Sequence, residues 1–290
     1  MLTIAIPTYG RGAVLCETIE LLLALEPRAD EIVIVDQTPS YPPEIEAKLL
    51  GFEAGGAIRM FRLDAPSIPG AMNRALAEAR EPYVLFLDDD IIPDANLVGA
   101  HVRAMLQSGA TAIVGQVLQP GESPQHFDEA TLRRGFIRDL EFRFNHDTAT
   151  DVQNVMAGNL CVNRGKALQI GGFDERYTAV AYRFETDFAL RLIAAGGRIR
   201  YEPAASIRHL KAAGGGVRMW GDHRTSASPA HSIGDYTFAR RHVPAFWRYV
   251  ALRFRKNLLT RFHLTHPWTV PSKLVGEVRG LLGALRDERN

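Results

Sequence analysis

Three consecutive aspartates, Asp88, Asp89 and Asp90, directly follow the apolar run 83–87 and precede Ile91, Ile92 and Pro93. In extended backbone successive side chains alternate, so Asp88 and Asp90 should face one side and Asp89 the other. Adjacent carboxylates repel unless a cation or hydrogen-bond donors compensate them. Mg2+ or Mn2+ held by one or two carboxylates plus substrate phosphates is a common solution. The triplet reads equally as a solvated acidic turn that caps a following helix.

A further carboxylate of interest is Glu185, in the segment Phe184-Glu185-Thr186-Asp187-Phe188-Ala189-Leu190-Arg191. If this segment opens a helix, Asp187 and Arg191 pair at i and i+4, whereas Glu185 is rotated about 200° from Asp187. Glu185 is then free, and near a positive helix N-terminus it is expected to stay ionised and to accept a proton from a hydroxyl. Its bland alternative is a dipole partner in the first turn. His209 ends an extended segment and is followed by Gly214-Gly215-Gly216. Imidazole is a competent ligand for Mn2+-like ions, and a glycine joint lets a loop close over substrate, although most histidines are simply structural.

These groups need a scaffold, and the hydrophobic periodicity supplies an α/β one. Strands are expected at residues 3–6, 31–35, 58–63, 83–87 and 112–117, with helices near 13–25, 43–50, 70–80 and 94–107, the alternation of a mostly parallel sheet flanked by helices. The run 83–87 is apolar at every position, as a central strand covered on both faces requires. The open end of such a strand is where ligands bind in α/β sheets, and the aspartates lie there. Residues 120–150 read as an insertion, with a charged and aromatic stretch at 136–144. Regularity returns at 155–162, a helix at 164–170, a helix near 185–195 and a strand at 198–201. After the glycine joint the chain is helical, with Pro244, Pro267 and Pro271 at helix starts or breaks. This divides it into residues 1–210, with 1–118 and 119–210 as its parts, and an extension, 211–290.

Bulk properties narrow the function classes. The 290 residues are 46% hydrophobic, enough for a full core, and a formal charge of +1 makes nucleic acid a poor partner. The two cysteines, Cys16 and Cys161, sit in apolar segments and suggest buried thiols in a reducing compartment. Neither a signal-peptide pattern nor a membrane-spanning run is evident, so a cytoplasmic location is expected.

In their order along the chain, four segments resemble the family 2 glycosyltransferases of the GT-A fold. They are Ile4-Ala5-Ile6-Pro7-Thr8-Tyr9-Gly10-Arg11; Ile32-Val33-Ile34-Val35-Asp36; Gly70-Ala71-Met72-Asn73 through to Asp88-Asp89-Asp90; and Ala157-Gly158-Asn159, Gly171-Gly172-Phe173-Asp174-Glu175, Glu185-Thr186-Asp187 with Arg191, and His209. The resemblance implies a Rossmann-like catalytic domain that transfers a sugar from a nucleoside-diphosphate donor to an acceptor hydroxyl, inverting configuration. It implies Glu185 as catalytic base, Asp90 and His209 as ligands of Mn2+ or Mg2+, and Pro7, Tyr9, Asp36, Asn73, Asp88 and Asp89 around the donor. A carbohydrate or lipid-linked acceptor of cell-envelope polysaccharide synthesis would follow. Gln37 and Met72 depart from the pattern near the nucleotide; UDP is the expected base carrier, dTDP the alternative, and Arg74 a candidate for the missing charge.

Two other readings share these features. A sugar-phosphate nucleotidyltransferase would need a richer phosphate loop than Gly10, Arg11 and Gly12, and a non-catalytic nucleotide-sugar or carbohydrate-binding protein would bind donor without releasing nucleoside diphosphate. In the extension, apolar residues at 247, 250, 251, 254 and 258 follow helical spacing among many arginines. Such a helix between 240 and 262 either lies on an anionic membrane surface or packs on the catalytic domain.

Overall fold

The computed structural model describes residues 1–128, 142–212, 214–216 and 222–286. The N-terminal part alternates as the periodicity predicts: β1 (Leu2–Thr8), α1 (Gly12–Leu23), β2 (Glu31–Asp36), α2 (Pro43–Ala54), β3 (Arg59–Arg62), α3 (Ile68–Glu78) and β4 (Tyr83–Leu87). Local chemistry starts the helices. The Ser67 hydroxyl accepts from Gly70 N at 3.1 Å and Pro69 occupies the first turn of α3, while Pro43, Glu44 and Glu46 open α2. There follow β5 (Ile91–Pro93), α4 (Leu97–Ser108), β6 (Ala112–Leu118), β7 (Thr150–Asp151), β8 (Asn159–Asn163), α5 (Arg164–Gln169), α6 (Phe184–Ala194) and β9 (Ile199–His209).

Eight strands run β3-β2-β1-β4-β8-β6-β9-β5, and β7 pairs with β9 at the side. From β3 to β4 every pairing is parallel; β8 then runs antiparallel to both β4 and β6. Side chains of the central strands alternate between two cores. Val84 and Phe86 join one, with Phe86 edge-on to Phe173 at 5.4 Å, and Leu85 and Leu87 join the other. The all-apolar run 83–87 therefore reflects burial on two faces.

Three elements differ from the sequence expectation. The last strand, expected to stop at 201 before Pro203, continues to His209 because the β6–β9 register shifts between Gly115 and Gln116, leaving 203–205 as a bulge in which proline is tolerated. Buried Asn159 secures the bulge, donating from Nδ2 to Ala205 O (2.8 Å) and Gln116 O (3.0 Å) while its Oδ1 meets His101 Nε2 at 2.8 Å. Residues 91–93, read as a connection, form the short strand β5. The helix expected from 94 starts at Leu97. Of the aromatic stretch 136–144, residues 136–141 lie outside the described residues; Phe142 is buried, 4.9 Å from the Tyr201 ring.

Beyond the glycines the chain forms α7 (Ile233–His242), α8 (Phe246–Leu258), α9 (Arg261–Thr265) and α10 (Val270–Arg286), with single 3-10 turns at Pro229–His231 and Pro267–Thr269. Phe238, Ala239 and Val243 belong to the same core cluster as Phe173 and Phe188. The apolar stripe of α8 is divided: Val250 is buried and Phe254 packs beside it, whereas Trp247 and Ala251 are exposed. No helix among the described residues is long and apolar enough to cross a membrane.

At Gly115 an added Cβ would lie 2.2 Å from both Ala205 O and Asn159 Nδ2, so the bulge admits no side chain there. Gly115→Ala should destabilise the protein by about 1–3 kcal/mol, the usual cost of overpacking. The measurement is the urea midpoint at constant m-value; an unchanged midpoint contradicts this account of the bulge.

Candidate active site

The β5–β9 pairing assembles the acidic end of the sheet. Ile91 lies opposite His209, and Leu210 N donates to Asp90 O at 2.8 Å, so the residue before β5 and the last residue of β9 become neighbours. His209 Nε2 lies 3.0 Å from Asp90 Oδ1 and 3.7 Å from Asp88 Oδ2, and its Nδ1 faces Gln119 Oε1 at 3.1 Å. Asp90 is fully buried, and its Oδ2 accepts from Ala212 N at 2.8 Å.

Arg11 provides the positive charge that the triplet requires. Its Nη1 lies 2.8 Å from Asp89 Oδ1 and 3.2 Å from Asp90 Oδ1, and its Nε donates to Gly214 O at 2.8 Å. Gly216 N donates to Tyr9 O at 2.9 Å, so the glycine joint rests on the turn after β1. Asp89 points inward, as alternation requires, and its Oδ2 accepts from the Thr8 hydroxyl at 2.7 Å. Internal bonds to Thr8 and Arg11 thus occupy both carboxylate oxygens of Asp89.

The three carboxylates differ in proton affinity. Burial opposes ionisation of Asp90, but hydrogen bonds from His209 and Ala212 N, with the charges of His209 and Arg11, hold it below the usual range. Burial raises Asp89 despite Arg11 and Thr8. Asp88 is pushed up to about 6, by loss of water first and by the neighbouring Asp89 and Asp90, against the pull of His209. The His209 imidazole is raised, chiefly by its bond to Asp90.

Glu185 stands at the start of α6, where its Oε1 accepts a hydrogen bond from Ala157 N. Burial, and to a lesser degree Asp88, raise it to about 7, while the Ala157 bond and Arg183 oppose the shift. The expectation of a plainly ionised carboxylate is corrected: desolvation outweighs the helix terminus, and Glu185 titrates near neutrality. The Asp187–Arg191 pair forms as expected, Nε to Oδ2 at 2.7 Å. The loop before Glu185 is strained, with Ala179, Ala181 and Arg183 at φ of 59°, 49° and 74°. It is anchored by Arg183 Nε, which donates to Asp235 of α7 at 3.1 Å.

The Ala157-Gly158 turn separates Glu185 from Asp88. Ala157 N holds Glu185, Gly158 O accepts from Asp88 N at 3.3 Å, and a Cβ on Gly158 would stand 2.2 Å from Asp88 Oδ2. Ligand atoms of Asp88, Asp90 and His209 lie within 4.8 Å of one another, and two carboxylates plus one imidazole suit Mn2+ or Mg2+.

The other expected donor residues lie along the same sheet end. Pro7, next to last in β1, lies opposite Val35, and half-buried Tyr9 follows on the turn. Asp36 is buried; its Oδ1 accepts from Thr38 N and the Tyr41 hydroxyl, both at 2.9 Å, and its Oδ2 has no hydrogen-bond partner. Asn73 is instead occupied by the Gly171-Gly172 turn: Nδ2 donates to Phe173 O and Glu175 Oε1, and Oδ1 accepts from Phe173 N, each at 2.8 Å. Gln37 ties Ser67 N (2.6 Å), Met72 is core, and Arg74 pairs with Glu78 at 2.9 Å on the surface. Sequence reasoning missed Arg11 and Gln119 as partners of the acidic end, and His242, whose Nε2 lies 2.8 Å from Asp187 Oδ1. Their only signal is pairing between distant segments.

Residues 3–167 match the family model described as glycosyl transferase family 2. The pre-mycofactocin glycosyltransferases of two Mycobacterium tuberculosis strains are 32% identical over 161 residues, covering 53% of this chain and 30% of theirs. The chain thus spans about a third of the length of these curated relatives. Among solved structures, the mannosyltransferase PcManGT of Pyrobaculum calidifontis, in complex with GDP-Man and Mn2+, aligns at TM-score 0.59 and 16% identity over 95% of this chain and 73% of its own. GalNAc-T7 with UDP, GalNAc and Mn2+ aligns at TM-score 0.60 and 14% identity over 85% and 52%. These likenesses show the GT-A fold.

Gly158→Ala should push the Asp88 carboxylate out of position and weaken Mn2+ binding by roughly 10- to 100-fold, the range seen when the support of a metal ligand is lost. Titration calorimetry with Mn2+ measures it; an affinity equal to that of the native chain would separate Asp88 from the metal.

Proposed function

The chain belongs to glycosyl transferase family 2, and we propose that it moves a sugar from a nucleoside-diphosphate donor, UDP before dTDP, to an acceptor hydroxyl with inversion at the anomeric carbon. The observation that carries this reading is the Ala157-Gly158 turn, with Glu185 bonded on one side and Asp88 packed against the other. A proton acceptor and an acidic diphosphate end are thereby held at a fixed spacing.

In the proposed reaction the acceptor oxygen forms a bond to the anomeric carbon as the bond from that carbon to the diphosphate oxygen breaks. The hydroxyl proton passes to Glu185, and the electron pair leaves with the nucleoside diphosphate. A carboxyl near pH 7 suits a general base, because much of it is ionised and it still holds a proton well. Asp88, Asp90 and His209 would hold a divalent ion, which would supply charge compensation on the leaving diphosphate. Arg11 orients Asp89 and Asp90 and favours their charged forms against the effect of burial. Asp36 Oδ2, which lies 3.9 Å from Arg62 Nε and has no hydrogen-bond partner, is an acceptor suited to a nucleoside donor group, with Tyr9 available to stack beside the base. A carbohydrate or lipid-linked saccharide is the proposed acceptor. Release of nucleoside diphosphate separates this reading from a binding protein without turnover.

Glu185→Gln should lower transfer by roughly 10²- to 10⁴-fold and leave donor affinity nearly unchanged. The native rate should rise with pH through about 7, as Glu185 loses its proton. Stability should run the other way. The folded-state affinity is raised from the ordinary 4.5 to about 7, so the stabilisation by protonated Glu185 is complete below 4.5 and lost as pH rises through 7. Thermal melting should therefore show Glu185→Gln gaining on the native protein across that interval. Full turnover by a folded Glu185→Gln variant refutes the base assignment.

A further inference from the structure

The C-terminal helices and the loop leading into α6 enclose a second cavity, of about 560 Å3. Its walls include Tyr182, Arg224, Arg253, Asn257, His263 and Lys273, and no carboxylate is among the described residues that line it. Behind the wall is a buried ionic network. Glu277 accepts from Lys273 Nζ at 2.8 Å, from Arg253 Nε at 3.1 Å and from the Tyr236 hydroxyl at 2.7 Å. Asp235 accepts from Arg253 and from Arg183. Arg224 pairs with Asp222 at 2.7 Å, so four cations, Arg183, Arg224, Arg253 and Lys273, share three carboxylates. Burial lowers the Arg253 guanidinium more than Glu277 restores it. Such a wall attracts an anion, and arginine and lysine together suit a phosphate group.

The second observation is that α10 is amphipathic in the inverted sense. Its buried face carries Lys273, Gly276, Glu277, Gly280 and Ala284, while Leu274, Val275, Val278 and Leu282 face outward at helical spacing, 40–46% exposed. Just before it, Leu264 and Trp268 are each 71% exposed. Along the chain the two features alternate: His263 and Lys273 line the cavity, and the next residues, Leu264 and Leu274, are exposed. An apolar face bordering a cationic pocket matches an anionic bilayer surface, where acyl chains and phosphates occupy the same order.

We propose that this region docks on a phospholipid surface, with a lipid phosphate entering the cavity between Arg224, Arg253 and Lys273 and the outer face of α10, with Leu264 and Trp268, resting among the acyl chains. This goes beyond the transfer reaction and is independent of Glu185.

The test is flotation of the full chain, in EDTA to keep the acidic site free of metal, with phosphatidylcholine vesicles with and without phosphatidic acid. Binding should require phosphatidic acid. Arg224→Glu, at a side chain 48% exposed, should weaken it roughly tenfold by placing like charges together. Val278→Ser with Leu282→Ser should abolish it while circular dichroism melting stays native. Equal binding by the native chain and both variants, or equal binding to neutral vesicles, overturns the proposal. So does thermal stabilisation by inorganic phosphate without vesicle binding, which would mark a site for free phosphate.

Discussion

The carboxylate of Asp90 is the group whose burial the rest of the site has to accommodate. A fully buried ionised carboxylate is tolerated only with charge and hydrogen bonds around it. Four segments supply them: His209 from the end of β9, Ala212 N from the chain beyond it, Arg11 from the turn after β1, and the β5–β9 ladder that aligns them. The glycine joint is held down by Arg11 and Tyr9 O, and the turn after β1 is thereby tied to the chain beyond β9.

A second buried carboxylate, Asp187, plays the corresponding part for the C-terminal helices. Arg191 reaches it from its own helix and also donates to Ile170 O (2.9 Å) and Gly172 O (2.8 Å), while His242 approaches from α7. Asp174, held well below the carboxylate range despite burial by Arg176 and Arg241, continues this junction. The helix that presents Glu185 is therefore clamped from both sides. Arg183 and Asp235 extend the clamp into the strained loop before it, so α7 helps to set the position of Glu185.

Much of this was legible in the sequence because it obeys local rules. Alternation along 83–87 and the helical spacing of Asp187 and Arg191 need only one segment each, and both are realised. Residues whose roles arise from pairing were not legible. Nothing in the spacing of Arg11 announces Asp89 and Asp90, and the approach of His209 depends on a bulge at Pro203 that a local rule reads as the end of a strand. Asn73 is instructive in the opposite way: its place on α3 was expected, but its amide is committed to the Phe173 backbone and Glu175. The ionisation of Glu185 was misjudged because a helix terminus is visible in sequence and desolvation is not.

The cleft gains its chemical asymmetry from this uneven solvation. Asp90 is surrounded by donors and stays ionised, whereas Glu185 has one backbone donor and a buried surrounding that favours the proton. Asp88 lies between them in both space and proton affinity, near 6. Two carboxylates of similar intrinsic acidity are thus driven apart by environment, the arrangement by which one fold assigns charge-holding to one group and proton transfer to another. A cation entering beside Asp88 would lower its proton affinity and, with that charge neutralised, remove the repulsion that Asp88 adds at Glu185. A change of charge at the acidic end is thus felt at Glu185 through Asp88, the residue that Gly158 leaves room for.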